Sequence, residues 1–533
     1  MSILRSLVFL SLLLSVCALS QYAQNPPPSI LDGVLIAPKG TTVVLQKDGG
    51  DILSVTTPTD GTTDFTRKPF KFPNTYVIGT AYTLAIKSAP AGQTCKIEKG
   101  IRGTIGASPG FIRVGCDHSF ELVSRNTENA KFATFYESSA PVVGGDFAEE
   151  GRYVAFVSSA VGLGGSLGKK RQILWRDRNS GVTKLVSTGM YGGEGNGDSF
   201  SPSMSADGRY VAFESYATNL VPIDTNGVRD IFVWDSRTGI VTAVSTGAGE
   251  SETNAESFEP VISGDGKSIA FTSSASNLAP GVDGTSTVNV YLKRVASGSA
   301  PTLISMDPKT KKGVGGSRPS MSDDGSRIAF YSVASTLVTD DKNNLWDIFL
   351  YDSSSPKLKR LSLTSGGGER DQGTESASRV VSPSVSGNGS FVAFATTAAN
   401  MVDGDANKVQ DVFVVNVDSG EVKRVSTGKG GLEGNGDSPT GQGEKIGISF
   451  DGSYVAFSTS ATNLGGSIVL RNQINGEIIP VTTDGSRGVG RPAVSRNGGY
   501  VIFGSGVRLD SRFASSGIFA YFTGSARCRF CIN

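Results

Sequence analysis

The sequence predicts an all-β protein, a seven-bladed β-propeller preceded by a small β-sandwich, and three observations carry that expectation. The pattern Ser-x-x-Gly-x-Tyr-Val-Ala-Phe returns through most of the chain, clearest at Ser205-Ala206-Asp207-Gly208-Arg209-Tyr210-Val211-Ala212-Phe213 and at Ser449-Phe450-Asp451-Gly452-Ser453-Tyr454-Val455-Ala456-Phe457. Weaker copies centre on Gly151, Gly266, Gly325, Gly389 and Gly498, and the spacings from Gly151 onward are 57, 58, 59, 64, 63 and 46 residues. A fixed period of this length is the mark of a repeat architecture. The composition agrees, because 68 Gly and 22 Pro in 533 residues suit a chain of short strands and tight turns.

Within a repeat, Asp-Gly or Asn-Gly supplies the positive φ of a tight hairpin, and the apolar alternation on either side supplies its two strands. A third run follows, as in Asp230-Ile231-Phe232-Val233-Trp234-Asp235, then a turn such as Ser236-Arg237-Thr238-Gly239, then a fourth run, Thr242-Ala243-Val244-Ser245-Thr246. Four strands make one blade. The last unit has three recognisable strands, so a strand from elsewhere must complete it. Residues 131–137, Lys131-Phe132-Ala133-Thr134-Phe135-Tyr136-Glu137, are expected to do so within a propeller spanning 129–524, removing an exposed edge. Six blades with one irregular unit is the alternative reading of the uneven spacings.

The run Asn219-Leu220-Val221-Pro222-Ile223-Asp224-Thr225-Asn226-Gly227-Val228-Arg229-Asp230-Ile231-Phe232-Val233-Trp234-Asp235 resembles the TolB-type propeller repeat. The resemblance covers most of the chain and implies the fold. It implies little about activity, since such propellers serve as protein-binding platforms, as partners of hydrolase domains and as enzymes.

Ahead of the repeats, residues 1–20 carry Arg5, the apolar run from Leu7 to Leu14 and the small-residue end Ala18-Leu19-Ser20, which reads as a secretory signal. The apolar run is too short to span a bilayer. A polar, Pro-rich stretch (21–29) leads to residues 30–122. There Gly79-Thr80-Ala81-Tyr82-Thr83-Leu84-Ala85-Ile86, Pro90-Ala91-Gly92-Gln93-Thr94-Cys95 and Val114-Gly115-Cys116 are similar to an immunoglobulin-like module of bacterial surface and secreted proteins. That resemblance implies a spacer or adhesion domain with bridged cysteines. Four cysteines remain after the signal, so three pairings are open, and the shared small domain favours Cys95 with Cys116. Cys528 and Cys531, in the tail 525–533, read as a staple of the tail, a link to another subunit or a redox pair.

Fifty basic against 49 acidic residues leave no broad field, which argues against nucleic acid as a partner. The single histidine, His118, sits at the joint between the two regions. Gly164-Gly165-Ser166-Leu167-Gly168 matches the form of a nucleophile elbow, but it lies in a blade loop without the strand-to-helix turn that makes such a serine reactive.

Four blades place oxygen-bearing side chains at positions 1, 3 and 7 of the loop before the third strand: Asp224, Asn226, Asp230; Asp283, Thr285, Asn289; Asp341, Asn343, Asp347; and Asp405, Asn407, Asp411. Hard oxygens at alternating positions suit Ca²⁺. They equally suit turns in which the side chain caps backbone N–H groups. A second recurrence, Glu194-Gly195-Asn196-Gly197-Asp198-Ser199, Glu252-Thr253-Asn254-Ala255-Glu256-Ser257 and Glu433-Gly434-Asn435-Gly436-Asp437-Ser438, leads into the inner strands and is expected along one rim. Asn388-Gly389-Ser390 is a glycosylation sequon in a hairpin turn.

With one histidine and no evident catalytic cluster, the sequence alone favours a secreted, non-enzymatic recognition or scaffold protein. Its partner would be an extracellular protein or glycan, or further copies of itself in a surface layer or filament. The alternative is a calcium-dependent propeller enzyme, a lactonase or a glycan-cleaving enzyme. Such an enzyme needs acids converging on the inner strands, where Pro202-Ser203-Met204-Ser205 and Pro260-Val261-Ile262-Ser263 place small and apolar residues.

Overall fold

The computed structural model describes residues 29–523 except 39–40, 59–64, 78, 89–94, 100–101, 106–111, 117–119, 125–137, 147–149, 281–286, 296–298, 372–380, 441–443, 483–488 and 506–516. Residues 1–20, expected to be a secretory signal, the tail 525–533 with Cys528 and Cys531, and His118 thus lie outside the described residues. The described residues form strands and four short 3₁₀ turns, and none of their helices is long and apolar enough to cross a membrane. The chain divides into two compact units, with the boundary in sequence between His118 and Ser119.

The smaller unit holds two four-stranded sheets. One runs Phe65–Tyr76, Ser29–Pro38, Ile112–Cys116, Cys95–Lys99, and the other Ile52–Thr56, Thr42–Lys47, Ala81–Ser88, Arg102–Thr104. Alternation in Thr42–Lys47 turns Val43 and Leu45 into a core shared with Leu35, Phe72, Leu84, Ile112 and Val114.

Among the described residues the larger unit is a succession of seven four-stranded antiparallel sheets, as in a β-propeller; the first six run in sequence order from the innermost strand outward, and the seventh takes its outermost strand from the start of the unit. The innermost strands are Ser139–Gly144, Ser199–Met204, Ser257–Ile262, Ser317–Met321, Ser384–Val385, Gly447–Ile448 and Val489–Val494. Each packs on the next, and Val489–Val494 lies against Ser139–Gly144, so the contacts return to their start.

The recurring motif is explained by its turn. Ser205 Oγ donates to Asp207 Oδ1 (2.6 Å) and accepts from the Tyr210 amide (2.9 Å), while Asp207 Oδ1 also accepts from the Arg209 amide (3.0 Å). Serine and aspartate thereby bind both ends of the hairpin, and the arrangement recurs at Ser263/Asp265, Ser322/Asp324, Ser386/Asn388 and Ser449/Asp451. Behind it the second, third, fourth, fifth and seventh sheets each pack an aromatic pair, with Phe213 and Phe232 ring centroids 5.8 Å apart.

Gly208 is required twice over. Its φ is +72°, and a Cβ there would stand 2.1 Å from Cδ2 of Tyr153 in the preceding sheet. Gly208→Ala is expected to cost about 1–2 kcal/mol for the left-handed backbone alone and more as Tyr153 is displaced. Gly239→Ala, at φ +75° with nothing within 4 Å, isolates the backbone part. Urea midpoints that are equal for the two variants would show that the sheet-to-sheet contact contributes nothing.

The seventh sheet closes on the first. Glu150, fully buried in the first sheet's turn, accepts from the Ser495 hydroxyl (2.5 Å) and the amides of Gly499 (2.8 Å) and Asn497 (3.2 Å). It takes the place that the motif aspartate fills elsewhere. The outermost strand of this sheet is Phe120–Leu122, paired with Gly517–Phe522. That corrects the expected closing strand, because the edge assigned to residues 131–137, which lie outside the described residues, is taken by Phe120–Leu122. It also moves the unit boundary from 122 to 118, because Leu122 and Val123, 6% and 0% exposed, serve the larger unit.

Candidate functional site

At the start of the innermost strands the chain repeats a local irregularity. Ala140, Ser201, Glu259, Arg318 and Arg491 adopt positive φ of 48°, 48°, 55°, 56° and 52°, each is followed by proline, and each coincides with a register shift in the ladder to the second strand. Such a bulge leaves one residue unpaired and re-aims its side chain. Ser382 and Lys445 hold the corresponding positions of the fifth and sixth sheets and bridge each other. The result is one residue per sheet at one end of the axis, each partly exposed.

Three acids answer the amides that the bulges release. Glu214 Oε2 accepts from the Glu259 amide (2.6 Å), Glu259 Oε2 from the Arg318 amide (2.9 Å) and from Thr272 Oγ1 (3.1 Å), and Glu444 Oε2 from the Arg491 amide (2.7 Å). Each ties one sheet to the next. Glu214 Oε1 is further held by Ser201 Oγ (3.1 Å) and by Arg229 (3.3 Å). Burial pushes the carboxyls of Glu214 and Glu444 above their usual range, against these hydrogen bonds.

Lys445 and Arg491 differ from these acids. Among the described residues no ion pair or side-chain hydrogen bond engages either cation. Burial first and Arg491 second hold the Lys445 ammonium below its usual value, while Glu259 and Glu214 pull it back up. Groups of the second, third, sixth and seventh sheets therefore act on one space.

The other end of the axis is crossed by protein. Arg496 of the seventh sheet's turn is bonded to Asp323 of the fourth sheet's turn, and its guanidinium lies 4.4 Å from the ring centroid of Phe450. Those sheets are not neighbours, so the pair spans the axis. Backbone bonds between successive turns, such as Asp265 N to Asp323 O (2.9 Å) and Phe450 N to Arg496 O (2.8 Å), support this floor. The space is a polar cup with a charged mouth.

Sequence reasoning missed this cluster and expected small or apolar inner positions. The bulge is the reason, since simple alternation assigns Ser201, Glu259, Arg318 and Arg491 to the wrong face. The usable signal was an X-Pro dipeptide four residues before the motif serine, with X variable.

The loops proposed for calcium are built differently. In the fifth sheet Asn407 Nδ2 donates to Asp411 Oδ2 (2.9 Å), and Arg424 lies between Asp405 (2.9 Å), Asp411 (3.6 Å) and Glu433 (2.7 Å). In the fourth, Asn343 Oδ1 caps the Leu345 amide (2.9 Å), and Arg360 lies between Asp341 (3.0 Å), Asp347 (3.8 Å) and Glu369 (3.4 Å). In the third, Asn289 Oδ1 accepts from Ser305 (3.0 Å) and the Gly315 amide (3.1 Å), while Asp283 and Thr285 lie outside the described residues. In the second, Asp230 accepts from Ser245 (2.6 Å), Thr253 (2.7 Å) and Asn226 (2.8 Å). There the Asp224 carboxyl is pushed up to about 6 by burial and by Asp230 and Glu252. Among the described residues no group of three His, Cys, Asp or Glu side chains is placed to hold a metal ion.

Two glutamates of the second recurring patch cap these loops, Glu252 accepting from Thr225 Oγ1 (2.7 Å) and Glu433 from the Ala406 amide (2.8 Å), while Glu194 accepts from the Ser166 hydroxyl (2.5 Å) in a loop of the first sheet. Ser166, 2% exposed, is thereby a structural donor. Asn388 Oδ1 accepts from Ser386 (2.8 Å) and the Ser390 amide (3.0 Å) in an exposed turn.

No protein-family description and no curated protein matches the chain in sequence. In structure it is similar to an oligogalacturonate lyase from Vibrio parahaemolyticus, with 12% identity and a TM-score of 0.46 over 84% of this chain and 98% of that one. It is also similar to TolB from Acinetobacter baumannii, with 16% identity and a TM-score of 0.35 over 72% and 66%, and to an acylaminoacyl peptidase from Pyrococcus horikoshii, with 14% identity and a TM-score of 0.42 over 73% and 52%. Likeness at this level concerns fold alone. The expectation of a non-enzymatic recognition or scaffold protein is nonetheless corrected: propellers of this kind are found in a lyase and a peptidase, and the charged cup supplies the cluster whose supposed absence supported that expectation.

Proposed function

We propose that the cup is an active site for proton abstraction beside a carboxylate, acting on an anionic oligosaccharide of the uronate class. Lys445 is the base, and Arg491 holds the substrate carboxylate. The observation that carries this reading is the pair of adjacent cations, Lys445 and Arg491, which among the described residues form no ion pair or side-chain hydrogen bond and stand beside acids already committed to backbone amides. A cation on the carboxylate stabilises the charge that develops when the neighbouring C–H bond breaks. The proton passes to the neutral amine of Lys445, the C–H electron pair forms a C=C bond, and the glycosidic oxygen leaves with the C–O bonding pair and takes a proton from water. An amine held below its ordinary value is the form this step needs. Oligogalacturonate is the first substrate to test, with the unsaturated product followed by ultraviolet absorption. Absence of turnover across a panel of uronate oligosaccharides would end the proposal.

The finer architecture belongs to the same reading. The seven successive sheets are taken as seven blades of a TolB-type propeller, the smaller unit as an immunoglobulin-like sandwich, residues 1–20 as a secretory signal, and Asn388 as a glycan acceptor in a host that modifies it. Cys95 stands directly opposite Cys116 in the ladder of the smaller unit, which supports a bridge between them. Alkylation before and after reduction should then show Cys95 and Cys116 protected, and Cys95→Ser should expose Cys116. Full alkylation of both without reductant would contradict the bridge.

A further inference from the structure

The second, fourth and fifth sheets build the same three-carboxylate cluster, but only two of them fill it. Arg360 stands opposite Phe349 and Arg424 opposite Phe413, and each reaches all three acids of its own cluster. In the second sheet the residue in that register, opposite Phe232, is Ala243. Among the described residues Asp224, Asp230 and Glu252 are therefore assembled without the cation, and Asp224 Oδ1 is buried and accepts no hydrogen bond. Where the arginine side chain would run there is a cavity of ≈ 480 Å³, lined by these acids and by Val221, Pro222 and Val241. Lys293 on its wall does not substitute, since its ammonium donates to the carbonyl (3.1 Å) and the hydroxyl (2.8 Å) of Thr246.

We propose that this cavity is a receptor site for a guanidinium group, an arginine side chain presented by another polypeptide, which completes the second sheet as Arg360 and Arg424 complete theirs. The two filled clusters show the ligand chemistry within the same molecule. A planar fork of donors satisfies several carboxylates at once, and the apolar wall suits the aliphatic stem. Calcium fits less well. It requires six to eight oxygens, whereas both oxygens of Asp230 are engaged by Ser245, Thr253 and Asn226, and Glu252 is engaged by Thr225. The ladder places Asp230 opposite Ser215 and Ser199 opposite Ser215, so the site shares a rim with the cup but none of its residues, and it stands or falls separately.

Thermal stability and calorimetry of the full chain with an Arg-containing tripeptide, its Lys and citrulline counterparts, free arginine amide and CaCl₂ test the assignment. The Arg peptide should give a saturable upward shift, the Lys peptide a weaker one and the citrulline peptide none. Ala243→Arg supplies the guanidinium from within. It should raise the melting temperature without ligand and abolish the response, and Asp224→Asn should abolish the response while keeping the fold. Equal binding of free arginine amide would mark a small guanidinium metabolite as the source, and tighter peptide binding a partner protein. No saturable response to any guanidinium probe, a response unchanged in Ala243→Arg, or a response to calcium alone would each overturn it.

Discussion

Replacing Lys445 with alanine is expected to lower turnover of a uronate oligosaccharide by about 10²–10⁴-fold, the usual contribution of a positioned base, while substrate binding changes far less. The sign of the pH dependence follows from the cup. Burial and Arg491 depress the Lys445 ammonium, so the neutral amine appears at lower pH than for a solvated lysine, and activity rises as pH rises through that depressed value. Arg491→Ala removes a neighbouring positive charge. Its rate profile should move to higher pH while KM rises, because the carboxylate holder is also lost. Glu259→Gln removes a negative charge that raises the Lys445 value and should move the profile the other way. Variants that merely loosened the structure would lower the rate at every pH without displacing the profile.

Arg424→Met should destabilise the chain by about 3–5 kcal/mol, the cost of stripping one partner from a buried ion cluster. Asp405 and Asp411 have side chains 4% and 1% exposed, so their charges have little recourse to water. The Asp405 carboxyl already stands near 6 through burial and Asp411, even though Arg424 lowers it. A carboxyl raised in the folded state binds more protons folded than unfolded between about 4 and 6, so stability falls as pH rises through that window. Without Arg424 this effect strengthens. The deficit of the variant should therefore be largest above about pH 6 and shrink as pH falls, and Asp405→Asn in the same chain should restore part of it. Chemical denaturation at two pH values measures both effects, and a deficit independent of pH would show that Arg424 acts through packing.

The parts of this fold that were legible in the sequence are those written in local turn chemistry. Ser205, Asp207, Gly208 and Tyr210 act within six residues of one another, so their spacing reveals the hairpin directly. The closing strand was not legible, because any short apolar run reads as a strand, and the preference for Phe120–Leu122 arises from pairing with residues about 400 positions away. The loop acids were visible, but their partners were not. Arg360 and Arg424 come from the fourth strand, and nothing local distinguishes them from surface arginines or marks Ala243 as their missing counterpart. The cup stayed hidden because a bulge before proline reverses the face on which Glu259, Arg318 and Arg491 emerge.

The most direct measurement is a structure of the chain with a bound uronate trisaccharide. A substrate carboxylate is expected within hydrogen-bonding distance of Arg491, with the carbon beside it facing Lys445 Nζ. A sugar bound elsewhere on the propeller, with Lys445 and Arg491 untouched, would contradict it.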